Sequence, residues 1–305
     1  MPSRMKSALW YLALTFILSW SLVGVAFYGL KLHLNQGAGL AVAVLYMFMP
    51  LCAVVLVRKF ILRQPVREAL GLSFKLNAWW LVAWLLPLVL SVGALFASLL
   101  VPGVEWSWSM EGMIQRFGSQ LTPAQIEAMR QQTAALPLHP LWLGMIQGLL
   151  AGVTVNAVAG FGEEAGWRGL LQRDLQFLGF WRSSIFIGLV WGIWHVPIIL
   201  LGHNYPQHPR EGAFYMAYFT ILMAPLFAYI RARTRSVVAA AVMHGTLNAV
   251  AGISFMTLAG GSDLSVGLTG LAGLAVLAGA NGLLWVYDRW LSKDPLIPNY
   301  RTWVF

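Results

Sequence analysis

Charge is what this chain has least of. Asp, Glu, Lys and Arg make up 10% of its 305 residues, where a soluble domain carries roughly 25%. A water-soluble globule is excluded, and 59% hydrophobic residues place the chain among polytopic membrane proteins. Cysteine is nearly missing too. Cys52 alone, inside an apolar run, excludes an intramolecular disulfide and a cysteine-rich metal site. No soluble second domain, low-complexity tract or internal repeat is visible, so residues 1–305 read as one integral membrane domain. A net charge of +9 would suit nucleic acid in a soluble protein. Here the basic residues fall where cytoplasmic loops are expected, and no nucleic-acid partner is inferred.

What is present is a series of apolar runs of spanning length, roughly 18 to 25 residues. There are eight: Ala8–Leu30, Leu40–Val57, Ala78–Val101, Leu141–Phe161, Ile185–Leu201, Ala213–Ile230, Val237–Leu258 and Leu264–Tyr287. The expected fold is therefore all-α, a polytopic membrane bundle of eight transmembrane helices. The first run has a basic flank (Arg4, Lys6), as signal peptides do, but it is long and has no clear small-residue cleavage site; it reads as an uncleaved anchor. An even number of spans puts both termini on one side. If that side is cytoplasmic it collects 16 of the 20 Lys and Arg residues, leaving Lys31, Arg116, Arg130 and Arg210 outside. The expected location is a bacterial inner membrane with both termini cytoplasmic. Fifteen Trp and nine Tyr fit anchoring at the bilayer interfaces.

The longest loop, Pro102–Pro140, falls on the outer face. Within it Thr122-Pro123 reads as an N-cap followed by Pro at the first helical position, predicting a short loop helix to about Ala135. On the inner face Gln64–Leu76 is a short basic amphipathic stretch suited to lipid headgroups.

Against this apolar background a few polar groups stand out. Phe161-Gly162-Glu163-Glu164-Ala165-Gly166-Trp167-Arg168-Gly169 closes the fourth run with two carboxylates and an arginine. A charge in hydrocarbon costs at least a few kcal/mol and is functional by default. On a helix Glu164 and Arg168 are i,i+4 neighbours that pair, while Glu163 points about 100° away with no local partner. A charge cluster that merely ends the helix is the competing reading. The fifth run carries Trp191 and His195 ahead of Pro197, and the seventh carries His244 and Asn248 on one face. Either histidine alone would read as a helix–helix hydrogen-bond partner; three helices each contributing such a group is a constellation. At 1.5 Å per residue His195 and Asn248 lie about 16 Å and His244 about 10 Å inside the cytoplasmic boundary. Glu163, at the end of a run starting at Leu141, falls near that boundary instead, so the depths agree only if span four is tilted or starts later. Gly144, Gly148 and Gly152 favour the close packing this needs. His33, His139, His203 and His208 read as loop or span-end residues, and Asn281 as an interhelical hydrogen-bonding group.

Three motifs in this order, Glu163-Glu164 with Arg168, Trp191 with His195, and His244 with Asn248, resemble the CaaX protease and bacteriocin-processing (Abi) family of intramembrane proteases. The eight-span layout is similar to its prenyl-protein endopeptidase branch, and Trp191 stands where that family usually has Phe. Residues 141–258 would be the catalytic core. The resemblance implies an intramembrane endopeptidase acting by glutamate-activated water in a cavity open to the cytoplasm. Glu163 would be the base and His195 would hold the water. His244 and Asn248 would stabilise the oxyanion, with Glu164 and Arg168 orienting them and Trp191 supporting. A metal-free reaction is expected. The alternative is a zinc ion on Glu163, His195 and His244 with Glu164 as base. The expected partners are a peptide or membrane-protein substrate and the lipid bilayer; oligomeric state and substrate are left open. A proton-coupled transporter and a non-catalytic scaffold or immunity protein are the readings from other classes.

Overall fold

A computed structural model of the chain describes residues 2–34, 37–118 and 121–303. Its helices, in chain order, are α1 (Pro2–Val23), α2 (Gly37–Val55), α3 (Val66–Leu70), α4 (Ala78–Ser98), α5 (Glu111–Phe117), α6 (Pro123–Ala135), α7 (Pro140–Gly152), α8 (Val155–Glu164), α9 (Gln172–Asp174), α10 (Phe180–Ile199), α11 (Pro209–Thr234), α12 (Val237–Val250) and α13 (Leu271–Val286). Wide i→i+5 turns lengthen α1, α2 and α13 and bridge α8 to α9 over Ala165–Leu171. The only strands among the described residues are Glu105–Trp106 (β1) and Leu258–Ala259 (β2), an antiparallel pair with Glu105 opposite Ala259.

Among the described residues seven helices are long and apolar enough to cross a membrane: Ser3–Gly29, Gly37–Ile61, Ala78–Ser98, Phe180–Ile199, Pro209–Thr234, Val237–Met256 and Leu271–Leu291. The remaining crossing is irregular. The chain lies at one end of the bundle from Ser98 to Pro140 and at the other by Phe180, so α7, α8 and α9 together carry it across. Residues 162–172 of this segment are all buried. A helix covered by protein on every side need not follow the hydropathy of a lipid-facing one. For this reason the helix continues past the apolar run that ends at Phe161. The last span starts at Leu271 rather than Leu264, because Gly267 (φ +77°) turns the chain back and its carbonyl accepts from Gly273 N.

The outer-loop helix forms as expected. Thr122 accepts from Gln125 N while Gln125 Oε1 accepts from Thr122 N, and Pro123 occupies the first turn. This α6 meets α7 at a bend of 92°. Arg116 ties α5 to the strand pair by donating to Gly112 O, Leu258 O and Gly260 O. At the other end Arg233 and Tyr229 hold Asp288, and Gln176 Nε2 donates to Tyr300 O and Trp303 O. Residues near the C-terminus are thereby packed under the bundle, at the end bearing most of its basic side chains. Asn281 Nδ2 donates across helices to Leu222 O at 2.8 Å, as expected of an interhelical polar group.

Candidate active site

Close approach of α8 to α12 builds the site. A Cβ on Gly245 would lie 2.5 Å from Ala157 N, and one on Gly160 would lie 3.0 Å from His244 Cβ. Further along, Gly148 of α7 abuts Val250, and Gly152 abuts Thr246. Small residues let the two backbones nearly touch, and that contact puts His244 beside the carboxylate pair.

Glu163, Glu164, Arg168 and His244 are all buried, at 2, 0, 1 and 3% exposure, so no charge of the cluster faces lipid. Glu164 Oε1 accepts from Arg168 Nη1 at 3.0 Å and lies 2.7 Å from His244 Nδ1. An ionised carboxylate has no proton to give, so Nδ1 is the donor and Nε2 is left for other work. That Nε2 stands 3.7 Å from Glu163 Oε1, a separation that a bridging water spans. The Arg168 guanidinium lies against both the Trp191 and Phe227 rings, 4.5 and 4.4 Å from their centroids, an arrangement that favours a cation in an apolar site.

Glu163 has no local partner, as the spacing predicts, but it has distant ones. Trp191 Nε1 donates to its Oε2 at 2.8 Å, so the residue expected only to support the site touches the carboxylate directly. His195 Nδ1 lies 2.8 Å from the Trp191 carbonyl; a carbonyl cannot donate, so the imidazole keeps a lone pair on Nε2. Just before Pro197, Trp194 O accepts from Tyr46 and from Trp20 Nε1. Tyr46 also stacks on Trp194, 4.2 Å between centroids.

Glu163, His195, His244 and Asn248 line one cavity of about 290 Å³. The structure therefore brings together the four groups expected to touch substrate, with Glu164 and Arg168 behind them. The depth mismatch also resolves. The helix runs 11 residues beyond Glu163 to Asp174, which places the carboxylate about 16 Å from that end, at the depth of His195.

The walls of the cavity run from Glu163 to Leu34, His203, Asn204 and Thr269, all in connections at the end opposite the one rich in basic residues. The physical cause is the plug at the basic end: buried α9, the 176–178 turn and the C-terminal residues 300–303 occupy the space below the carboxylates. His203, in the connection after α10 as expected of a loop or span-end residue, also lines the cavity. Sequence reasoning also missed Tyr46 and Phe227. A tyrosine hydroxyl within the apolar run of α2 was the available signal for Tyr46; nothing in the sequence distinguishes Phe227 from other core aromatics.

For zinc, the described residues contain no group of three His, Cys, Asp or Glu side chains gathered as metal donors. His244 has its Nδ1 on Glu164 and His195 its Nδ1 on a backbone carbonyl. These contacts leave Nε2 of both rings unengaged, as they would also be in metal-bound imidazoles, and no step below passes through a metal.

Fold and site together define a helical membrane protein with a buried carboxylate pair, two imidazoles and an amide at the floor of a cavity. Residues 140–250, from the first residue of α7 to the last of α12, match the family model described as type II CAAX prenyl endopeptidase Rce1-like. Over 92 residues the chain is 27% identical to "CAAX prenyl protease 2" of Methanococcus maripaludis, an alignment covering 28% of this chain and 34% of that protein. The chain thus spans about a third of the length of that curated relative. The matched segment contains every motif residue named above.

Proposed function

We propose that this protein is an intramembrane endopeptidase that hydrolyses a peptide bond with water activated by Glu163. The observation that carries the reading is the asymmetry of the two carboxylates. Glu164 is neutralised by Arg168 and engaged by His244, whereas Glu163 meets only the Trp191 indole at hydrogen-bond distance and borders the cavity. A charge-balanced carboxylate orients its neighbours; one next to an open cavity takes up protons. The similarity of residues 140–250 to CAAX prenyl endopeptidases supports peptide-bond hydrolysis as the chemistry.

In this mechanism Glu163 Oε1 takes a proton from a water held between it, His195 Nε2 and His244 Nε2. The water oxygen bonds to the substrate carbonyl carbon. His244 acts as an imidazolium with a proton on each ring nitrogen, so that its Nε2 and the Asn248 amide donate to the oxyanion that forms. The C–N bond then breaks, and the proton on Glu163 passes to the leaving amine nitrogen, which restores the carboxylate. Glu164 holds His244 by Nδ1, and Arg168 holds Glu164. The protein is placed in a membrane with its basic end cytoplasmic, as its charge asymmetry supports.

Glu163→Gln tests the reading. The substitution preserves shape and the Trp191 hydrogen bond but removes the base. Purified protein in detergent, assayed on a peptide library by mass spectrometry, is expected to lose cleavage while keeping its thermal unfolding profile. Undiminished cleavage by Glu163→Gln ends the proposed role.

A further inference from the structure

We propose that a second cavity, at the basic end of the bundle and apart from the one that holds Glu163, binds the phosphate headgroup of an anionic phospholipid. This inference is independent of the peptidase reading, because it concerns other residues and another ligand.

The location is a junction of three spans. α11 ends at Thr234 and α12 begins at Val237, while residues 71–77 lead from α3 into α4. The two connections are fastened to each other: Val237 N donates to Gly71 O, Ser236 Oγ to Ser73 O, and Asn77 Nδ2 to Arg233 O. Between them lies a cavity of about 680 Å³, within the size range of small-molecule sites.

Its charge is unbalanced. Lys75, Arg233 and Arg235 line it against a single acid, Asp294. Arg233 is already committed, since its Nη2 lies 3.3 Å from buried Asp288 and donates to Ser292 Oγ and Asp294 O. Lys75 and Arg235 are both exposed, and neither has an acidic partner among the described residues. Arg235 also stands where an arginine is costly. At φ +52° and ψ +32° its backbone is left-handed, a conformation that glycine adopts without steric penalty and that commonly ends a helix. A long cationic side chain kept in a strained position is what a bound anion accounts for.

The rim indicates what carries the phosphate. Trp79 and Trp303 flank the cavity, and indoles favour the headgroup level of a bilayer. Phe74 and Leu76, on either side of Lys75, are 73 and 78% exposed. An apolar–basic–apolar sequence at the entry to a span sets the ammonium beside a phosphate and its neighbours among acyl chains. A free phosphate would use the cations alone and leave Phe74 and Leu76 without partners.

The test is a lipid titration. Delipidated full-length protein in a neutral detergent receives phosphatidylglycerol, phosphatidylcholine or glycerol 3-phosphate, and tryptophan fluorescence follows thermal unfolding. Phosphatidylglycerol alone is expected to raise the unfolding temperature, by about 5 °C near saturation. Lys75→Gln should raise the half-saturating phosphatidylglycerol concentration about fivefold, the worth of one basic residue beside an anionic headgroup. Arg235→Gly should do the same while leaving the lipid-free protein at least as stable as the parent, because glycine relieves the left-handed backbone. Lys59→Gln, on an exposed residue at the same end but outside the cavity, should leave the titration unchanged. An equal shift in Lys59→Gln would mean that diffuse charge draws the lipid, and would refute the site. An unshifted titration in both Lys75→Gln and Arg235→Gly refutes it as well. Equal stabilisation by glycerol 3-phosphate assigns the cations to a soluble phosphate and overturns the lipid. Equal stabilisation by phosphatidylcholine, or none by any of the three, overturns the proposal outright.

Discussion

Glu164 and Arg168 make a sharp prediction because their pairing is complete and dry. Their side chains are 0 and 1% exposed and 3.0 Å apart. Removing one member strands the other as an uncompensated buried charge, which costs about 3–5 kcal/mol; replacing both with neutral groups of similar size avoids that cost. Arg168→Met keeps an unbranched side chain against the Trp191 and Phe227 rings, and Glu164→Gln keeps an acceptor for His244 Nδ1. Each single variant is expected to lower the unfolding temperature by roughly 10 °C, taking about 2–4 °C per kcal/mol. The double variant should recover most of that loss, giving a coupling energy of about 2–3 kcal/mol. Turnover stays low in the two variants that carry Glu164→Gln, because His244 has lost its charged acceptor there. Intrinsic fluorescence of the 15 tryptophans in detergent follows unfolding. Additive losses in the double variant would refute the claim that the pair is held as a mutually compensated charge.

Three further outcomes are expected. Trp191→Phe removes the indole donor from Glu163 and leaves protein level unchanged; a hydrogen bond to a charged group is worth about 1.5–3 kcal/mol, so kcat should fall roughly tenfold to a hundredfold with KM little altered, as steady-state kinetics would show. Gly245→Ala pushes α8 from α12 and should abolish activity and reduce folded yield by size-exclusion chromatography, whereas Gly279→Ala, with nothing within 4 Å of its new Cβ, should leave both unchanged. Prolonged chelator treatment should leave turnover intact; loss of activity with zinc-specific recovery would overturn the metal-free chemistry.

What could be read in advance follows from how local each feature is. The helical spans, the Thr122 cap and the Glu164–Arg168 pairing rest on composition or on neighbours a few positions apart, and most of the spans, the cap and the pair appear where expected. The end of the fourth span was misplaced because hydropathy reports contact with lipid, and residues 162–172 have none to report: they are buried in protein. The partner of Glu163 was not legible because Trp191 is 28 residues away on α10. The direction of the cavity depended on α9 and residues 300–303 filling the basic end, a packing choice involving side chains more than 120 positions apart. Charge counting assigned the ends of the bundle but could not say which of them was hollow.

This same closure bears on the transporter reading. A carrier must present its site to each face in turn, by rocking one part of the bundle against another. Here the carboxylates sit on a helix covered on all sides from residue 162 to residue 172, and Gln172 and Gln176 fasten its lower end to α11 and to the C-terminal residues. Opening toward the basic end would pull that helix off its partners and separate Glu164 from His244, leaving Arg168 and two carboxylates to be resolvated at once. No hinge spares them: the break in the helix at Val153–Thr154 lies on the mouth side of Glu163. Proteoliposomes containing the protein and a trapped pH dye should therefore show no more proton entry after an acid pulse than empty liposomes. The same preparation solubilised in detergent should cleave peptides in a Glu163-dependent manner. Proton flux that disappears in Glu163→Gln would mean the closed end opens after all, and the buried helix would then be a moving part rather than a fixed floor.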